Sequence, residues 1–265
     1  CRMFAWDKPH GESDKTFWVG EGTDVPFRDD RASAAVQVRH EFTVTKPVRR
    51  AMLYASAAGL YEARINGARA GDHVLAPEWT DYRKRVQYQT YDVTSLLHEG
   101  VNAIGAWLGA GWYAGRIGLL AGRHIYGHRL RFIARLYVEY TDGTEDCIGT
   151  NGDWKVTSAG PLIANDLFDG EVYDARREMP GWDRPGFDDS SWRKTWDVGG
   201  CDWAMETGPL VPQMNEPIRI THEFTPVAVT EPQPGVYVLD MGQNMVGWVR
   251  ATFRDTKPGQ EITLR

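Results

Sequence analysis

Along most of the chain, apolar and polar residues alternate with a period of two. In "RLRFIARLYVEY", Leu130, Phe132, Ala134, Leu136 and Val138 share one face, and Arg129, Arg131, Arg135 and Glu139 share the other. That alternation marks a half-buried strand. Asp142-Gly143 then signals a tight turn, and "DCIGT" reads as the returning strand. Tyr61, Ala63 and Ile65 alternate with Glu62 and Arg64 ahead of a turn at Asn66-Gly67. Val86, Tyr88 and Thr90 alternate with Gln87 and Gln89. "EFTVT", "VRRAMLYASA", "GVYVLD", "GWVRATFRD" and "QEITLR" read as further strands, the last two joined by a turn at Pro258-Gly259. One stretch reads as helical. In "YDVTSLLHEG", Asp92 caps a short turn, Leu96 and Leu97 point inward, and Gly100 ends it. The pattern predicts an all-β fold of jelly-roll β-sandwiches.

Punctuation along the chain divides it. Pro209, Pro212 and Pro217 interrupt pairing in "TGPLVPQMNEPIRI", and a new strand register starts at Ile218. The expected organisation is an irregular segment over residues 1–32, a first β-sandwich over 33–212, and the start of a second over 213–265. The last stretch is short for a sandwich of ~100 residues, so the second domain is expected to continue in a longer parent. The first residue, Cys1 rather than Met, points the same way. A lipid-modified N-terminal cysteine is the other reading of Cys1.

Composition narrows the function classes. The chain has 265 residues with a formal net charge of −6, which argues against a broad basic surface for nucleic acid. No run approaches the ~18 apolar residues of a membrane helix. Cys1, Cys147 and Cys201 are odd in number and widely spaced, so they imply neither a disulfide framework nor a zinc site. Cytoplasmic and exported locations both stay open.

Three loops carry candidate chemistry. "GAWLGAGWYAGRIG" has the glycines of a phosphate loop, but such a loop needs a helix N-terminus after it. The pattern predicts none, no Lys-Ser/Thr pair is present, and Trp112 and Tyr113 crowd the backbone. As a sugar loop it fares better. Aromatic rings cover the apolar face of a sugar, and polar groups bind its hydroxyls. Trp112, Tyr113, Arg116 and Tyr126 supply both, whereas Trp107 sits in a strand and reads as core. For Trp112 and Tyr113 the core reading stands equally beside the sugar reading.

In "LAPEWTDYRKR", Trp79, Asp81, Tyr82 and Arg83 cluster on a turn. Asp81 either accepts sugar hydroxyls, or helps to hold calcium, or caps the turn and pairs with Arg83 or Arg85. "NDLFDGEVYDAR" gathers Asp166, Asp169, Glu171, Asp174 and Arg176. Paired carboxylates suit glycoside hydrolysis or calcium. An acid clamping Arg176 to order the loop, or a contact with another domain, are the structural readings. His124 and His128 lack the carboxylate or cysteine of a zinc site. No Gly-x-Ser-x-Gly elbow is present.

Whole phrases carry a family resemblance. "LYEARINGARAGDHVLAPEWTDYRKRVQYQTYDVTSLLHEGVNAIGAWLGAGWYAGRIG" and "NDLFDGEVYDARREMPGWDRPGFDDSSWRK" closely resemble the N-terminal region of bacterial α-L-rhamnosidases of glycoside hydrolase family 78. "YVLDMGQNMVGWVRATFRDTKPGQEITLR" resembles their next, concanavalin-like β-sandwich. The shorter "YDVTSLLHEGVNAIG" is also similar to sugar-binding domains of β-galactosidase-like enzymes. The family resemblance implies a galactose-binding-like first domain. It also implies that catalysis belongs to a downstream (α/α)6 barrel, where two glutamates act with inversion. This chain is therefore expected to be an accessory portion of an α-L-rhamnosidase, inactive alone and partnered by the downstream catalytic domain. The alternatives are a module that binds a rhamnose-containing carbohydrate, and a structural domain packed on the barrel. Some family members hold L-rhamnose together with calcium in such a sandwich, so calcium is an open option, while no cofactor is required. The candidate sugar-binding residues are Asp81, Tyr82, Trp112, Tyr113, Arg116 and Tyr126.

Overall fold

The computed structural model describes residues 18–20, 34–118, 122–195 and 207–265. Cys1, Cys201 and most of the segment read as irregular lie outside these residues. The strands in chain order are β1 (Val19–Gly20), β2 (Val36–Val44), β3 (Val48–Ala58), β4 (Leu60–Ile65), β5 (Ala68–Arg69), β6 (Val86–Asp92), β7 (Gly100–Gly109) and β8 (Arg131–Tyr140). They continue with β9 (Glu145–Gly149), β10 (Lys155–Thr157), β11 (Leu162–Asp166), β12 (Gly170–Tyr173), β13 (Arg193–Lys194), β14 (Leu210–Pro212), β15 (Ala228–Gln233) and β16 (Val236–Asp240). Helix is confined to one turn, α1 (Gly111–Ala114), and to 3-10 turns at Thr94–Leu96 and Ala175–Arg177. The all-β expectation holds.

Two six-stranded sheets face each other. One runs β1-β8-β3-β6-β14, with β9 also paired to β8, and the other runs β13-β10-β2-β7-β4-β5. The predicted inner face of β8 is buried as its alternation requires, but Arg131, Ile133 and Arg135 on the other face are buried as well, so β8 is covered on both sides and not half-buried. Phe132, Ala134, Leu136 and Val138 are buried opposite Ala57, Ala55, Leu53 and Ala51 of β3. Tyr61 of β4 crosses between the sheets, its ring 5.5 Å from Phe132. Its hydroxyl bonds the Ala55 carbonyl at 3.0 Å and Gln89 Oε1 at 2.7 Å. Burial pushes that phenol well above its ordinary pKa.

Four further details depart from the alternation. In β6 the buried face carries the polar residues, with Gln87 and Gln89 inside and Thr90 exposed. Their amides are satisfied there by Tyr61, Gln213 and the Pro77 carbonyl, as buried polar groups require. Pro212 does not stop pairing. It lies in β14, which adds to the edge of β6 in parallel, where a missing N–H costs little. Val19–Gly20, inside the segment read as irregular, pairs with β8. "GWVRATFRD" and "QEITLR" form no strand ladder, because a strand needs a hydrogen-bonded neighbour as well as an alternating pattern.

Other local readings hold. Asn66 and Gly67 both take positive φ, 51° and 85°, in the hairpin joining β4 to β5. Asp92 accepts the Thr94 N–H at 3.0 Å ahead of the 3-10 turn. The Tyr140 N–H bonds the Thr144 carbonyl at 2.9 Å around Asp142-Gly143.

The chain divides into two compact units, Cys1–Arg219 and Ile220–Arg265. In the second, β15 and β16 form a two-stranded sheet whose apolar residues, such as Val229 and Tyr237, are exposed. In the first, the segment from Met179 to Trp192 straps the outer face of the β2–β7–β4 layer. Arg39, 1 % exposed on β2, donates to the Trp182 carbonyl at 2.8 Å and pairs with Asp189. Trp182 meets Trp107 edge to face at 5.6 Å.

Candidate functional site

The aromatic residues of the two predicted loops converge. Trp79 and Trp112 stack with planes 7° apart and centroids 6.2 Å apart. Trp79 is 51 % exposed, and its Nε1 donates to the Tyr126 hydroxyl at 3.3 Å. The Arg83 guanidinium lies 5.6 Å over the Tyr126 ring, and one of its nitrogens donates to the Ile125 carbonyl at 2.6 Å. An open aromatic surface edged by a fixed cation suits a ring with an apolar face and a polar rim.

Burial sorts the candidates. Tyr82 and Tyr113 are 0 % and 1 % exposed, so neither can meet a ligand. This corrects their reading as sugar contacts. They support the platform instead. Their rings meet at 5.2 Å, and Tyr82 meets Tyr126 at 5.1 Å. Burial pushes the Tyr82 phenol well up. Trp112 and Tyr126 are half-buried, and the Arg116 side chain is 43 % exposed. Trp79 and Arg83, on the candidate turn "LAPEWTDYRKR" but outside the six predicted sugar contacts, belong to the site as well. Their exposure appears only once the two loops meet.

Asp81 caps its turn. Its Oδ1 accepts the Arg83 N–H at 3.2 Å and its Oδ2 lies 3.6 Å from Lys84 Nζ. The ion pair is thus with Lys84 and not with Arg83 or Arg85. Calcium needs several converging oxygens. A single carboxylate beside an ammonium does not fit, and among the described residues no three His, Cys, Asp or Glu side chains gather to hold a metal. His124 and His128 meet edge to face at 6.4 Å.

The turn that carries Trp112 is bracketed from β11. Contrary to the expectation of no helix, α1 is a single helical turn, too short for periodicity to reveal. Asn165 Oδ1 accepts the Ala110 N–H at 2.7 Å ahead of the turn. Asp166 Oδ2 accepts the Arg116 N–H at 2.9 Å behind it. A Cβ on Gly115 would lie 2.9 Å from that Asp166 oxygen, so glycine permits the approach. Arg123 pairs with Asp166 at 2.7 Å and also with Asp169. Burial raises the Asp166 pKa, but the amides of Arg116, Phe168 and Asp169 and the charge of Arg123 outweigh it, and the carboxyl titrates below its ordinary value. Every oxygen of this acid is committed to holding the loop, which leaves none for proton transfer. Asp174 clamps Arg176 at 2.7 and 2.8 Å.

The connector to the second unit is fixed beside the same turn. Glu78, at a φ of 70°, accepts from Gln213 Nε2 at 2.8 Å, from Asn215 Nδ2 at 2.6 Å and from the Ile218 N–H at 3.0 Å.

Comparison with known proteins gives two family matches. The α-L-rhamnosidase N-terminal domain matches residues 46–222, and the bacterial α-L-rhamnosidase concanavalin-like domain matches residues 230–265. An α-L-rhamnosidase of Streptomyces avermitilis is 54% identical over 220 residues, covering 83% of this chain and 21% of that protein. A crystal structure of a Streptomyces avermitilis α-L-rhamnosidase complexed with L-rhamnose superposes with a TM-score of 0.75 at 52% identity, over 81% of this chain and 20% of that one. The native α-L-rhamnosidase from Aspergillus terreus superposes with a TM-score of 0.80 at 40% identity, over 90% and 27%. The chain therefore spans between a fifth and somewhat over a quarter of the length of these relatives.

Proposed function

The chain belongs to the α-L-rhamnosidases of glycoside hydrolase family 78, and from that premise we propose that it is the accessory, non-catalytic part of an enzyme that removes terminal α-L-rhamnose from glycosides with inversion. The observation that carries this reading is the family match over residues 46–222. It is supported by the site chemistry, in which Asp81, Asp166, Asp169 and Asp174 are all engaged as caps or clamps. Glycoside hydrolysis needs two carboxyl groups that are free to protonate and to attack or activate water. The partner is then the downstream catalytic domain of the same polypeptide. The test is turnover of p-nitrophenyl α-L-rhamnoside by the 265-residue chain. None is expected, and hydrolysis at an enzyme's rate overturns the reading.

The exposed Trp79–Trp112 stack favours a second role, that of a platform for a rhamnose-containing carbohydrate. Trp79, Trp112 and Tyr126 take the C–H face of the sugar, while Arg116 reaches its hydroxyls. No ion takes part in this reading. Calorimetry with L-rhamnose is expected to show millimolar binding, roughly −4 kcal/mol, which Trp79→Ala and Trp112→Ala each abolish. A flat titration with the unaltered chain removes the platform.

A further inference from the structure

Resting on the platform reading, we propose that the Trp79–Trp112 surface is built for an anionic glycan, with Arg83 binding a carboxylate or sulfate on the sugar next to the stacked ring. A neutral sugar needs no charge at its rim, because hydroxyls and amides satisfy its hydrogen bonds. This rim carries a guanidinium, that of Arg83 on the Tyr126 ring. Arg83, Lys84 and Arg85 follow one another and are all exposed. Among the described residues, neither Arg83 nor Arg85 lies within salt-bridge distance of a carboxylate, while Lys84 shares Asp81. Arg116 adds a half-exposed guanidinium from the loop that carries Trp112, with its Nε 3.4 Å from Asp169.

The chain as a whole carries a net charge of −6, so it repels polyanions at long range and the local basic edge stands against that background. Arg83 is also pre-organised. Its contacts with the Tyr126 ring and the Ile125 carbonyl hold the guanidinium in place, and little side-chain entropy is left to lose on binding. A held, planar fork of donors matches the two oxygens of a carboxylate or sulfate. Tyr126 links the two halves, since it bonds Trp79 on one side and carries Arg83 on the other. A saccharide whose ring covers the indoles therefore meets the cation at its neighbouring residue.

The test is calorimetry on the 265-residue chain with four probes: L-rhamnose, a rhamnosyl-galacturonic acid disaccharide, its carboxyl-reduced counterpart, and a rhamnose monosulfate. The uronate disaccharide is expected to bind at least about tenfold more tightly than the reduced one at low salt. That gap should close at high salt, close in Arg83→Gln, and persist in part in Arg83→Lys. Both Arg83 variants are at an exposed position and should keep the thermal midpoint of the parent chain. A monosulfate that shares the gain identifies a general anion site, and one that does not identifies a carboxylate site. Equal binding of the acid and reduced disaccharides overturns the anionic assignment and leaves the rhamnose platform standing. Failure of all four probes removes both. A gap that survives in Arg83→Gln overturns the role of Arg83.

Discussion

Asp166 holds the backbone of Arg116, its Oδ2 accepting that N–H at 2.9 Å while the same oxygen pairs with Arg123 at 2.7 Å. One buried oxygen thus fixes the return of the loop that presents Trp112. Asp166→Ala leaves Arg123 with Asp169 alone and frees the Arg116, Phe168 and Asp169 amides. It is expected to cost about 2–4 kcal/mol, measured by urea unfolding, and to shift tryptophan emission. Asp166→Asn keeps an acceptor oxygen and costs less. The folded carboxyl titrates below its ordinary value. Its stabilisation is therefore complete above the unfolded pKa of about 3.9 and is lost as pH falls through the folded one. Unfolding titrations in that acid range should be flatter in Asp166→Asn.

His73 sets a second pH window. Its pKa is lowered by burial first and then by Arg219, against the opposing pull of Asp72 and Glu78, with Arg69 adding to the lowering. Arg219 Nη2 lies 3.1 Å from its Nε2, a contact that suits the neutral ring. The unfolded chain therefore takes up the proton first. Stability is full above the unfolded value of about 6.5 and falls as pH drops through the folded value. His73→Gln should flatten the stability profile just below neutrality, well above the carboxylate window. An unchanged slope there counts against the assignment.

Glu78 is the latch of the connector. Glu78→Ala removes the acceptor for Gln213, Asn215 and the Ile218 N–H at once. Amide exchange at Ile218 should rise by at least about tenfold, and the 213–219 stretch should become the first site of limited proteolysis, with a stability loss of about 1–3 kcal/mol. Glu78→Gln retains one acceptor oxygen and should fall between the two. Slow exchange at Ile218 in Glu78→Ala would overturn the latch, because the Val74 N–H bonds the Ile218 carbonyl and not its N–H.

Gly105 lets the Trp182 strap close. A Cβ there would lie 2.6 Å from the Trp182 ring and 2.7 Å from the Val38 carbonyl, and the carbonyl cannot step aside. Gly105→Ala is expected to cost about 1–3 kcal/mol by urea unfolding. It should also loosen the strap, read as faster amide exchange at Trp182 and Arg184.

Much of the scaffold was legible because period-two alternation reports burial directly. The inner face of β8 and the Asn66-Gly67 hairpin follow from side-chain type and turn chemistry alone, whereas the burial of Arg131 and Arg135 on the other face of β8 does not. The buried face of β6 was not, because Gln87 and Gln89 look solvent-facing until Tyr61 and Gln213 supply partners. Only a cross-sheet contact reveals them. The same limit governs the site. Trp112 and Trp79 lie 33 positions apart in sequence, and their stacking depends on how β7 and the turn after Pro77 end beside each other. Tyr82 and Trp79, three residues apart on one turn, have opposite fates: one is buried under the platform and the other forms its surface. Nothing in their immediate neighbours distinguishes them. "QEITLR" shows the converse, a strand-like pattern without a ladder.

The parallel pairing of β14 with β6 decides how the first unit bears load. Pulled by the chain beyond Arg219, the connector would first peel from Asp72, Val74 and Glu78, one contact after another. Force would then reach the three rungs Leu210–Val86, Val211–Gln87 and Pro212–Tyr88. These lie side by side along the strand, so a tug along its axis strains them together in shear instead of unzipping them singly. The exit of the chain from the unit is thus held twice, by separate contacts along the connector and by a parallel strand pairing behind them.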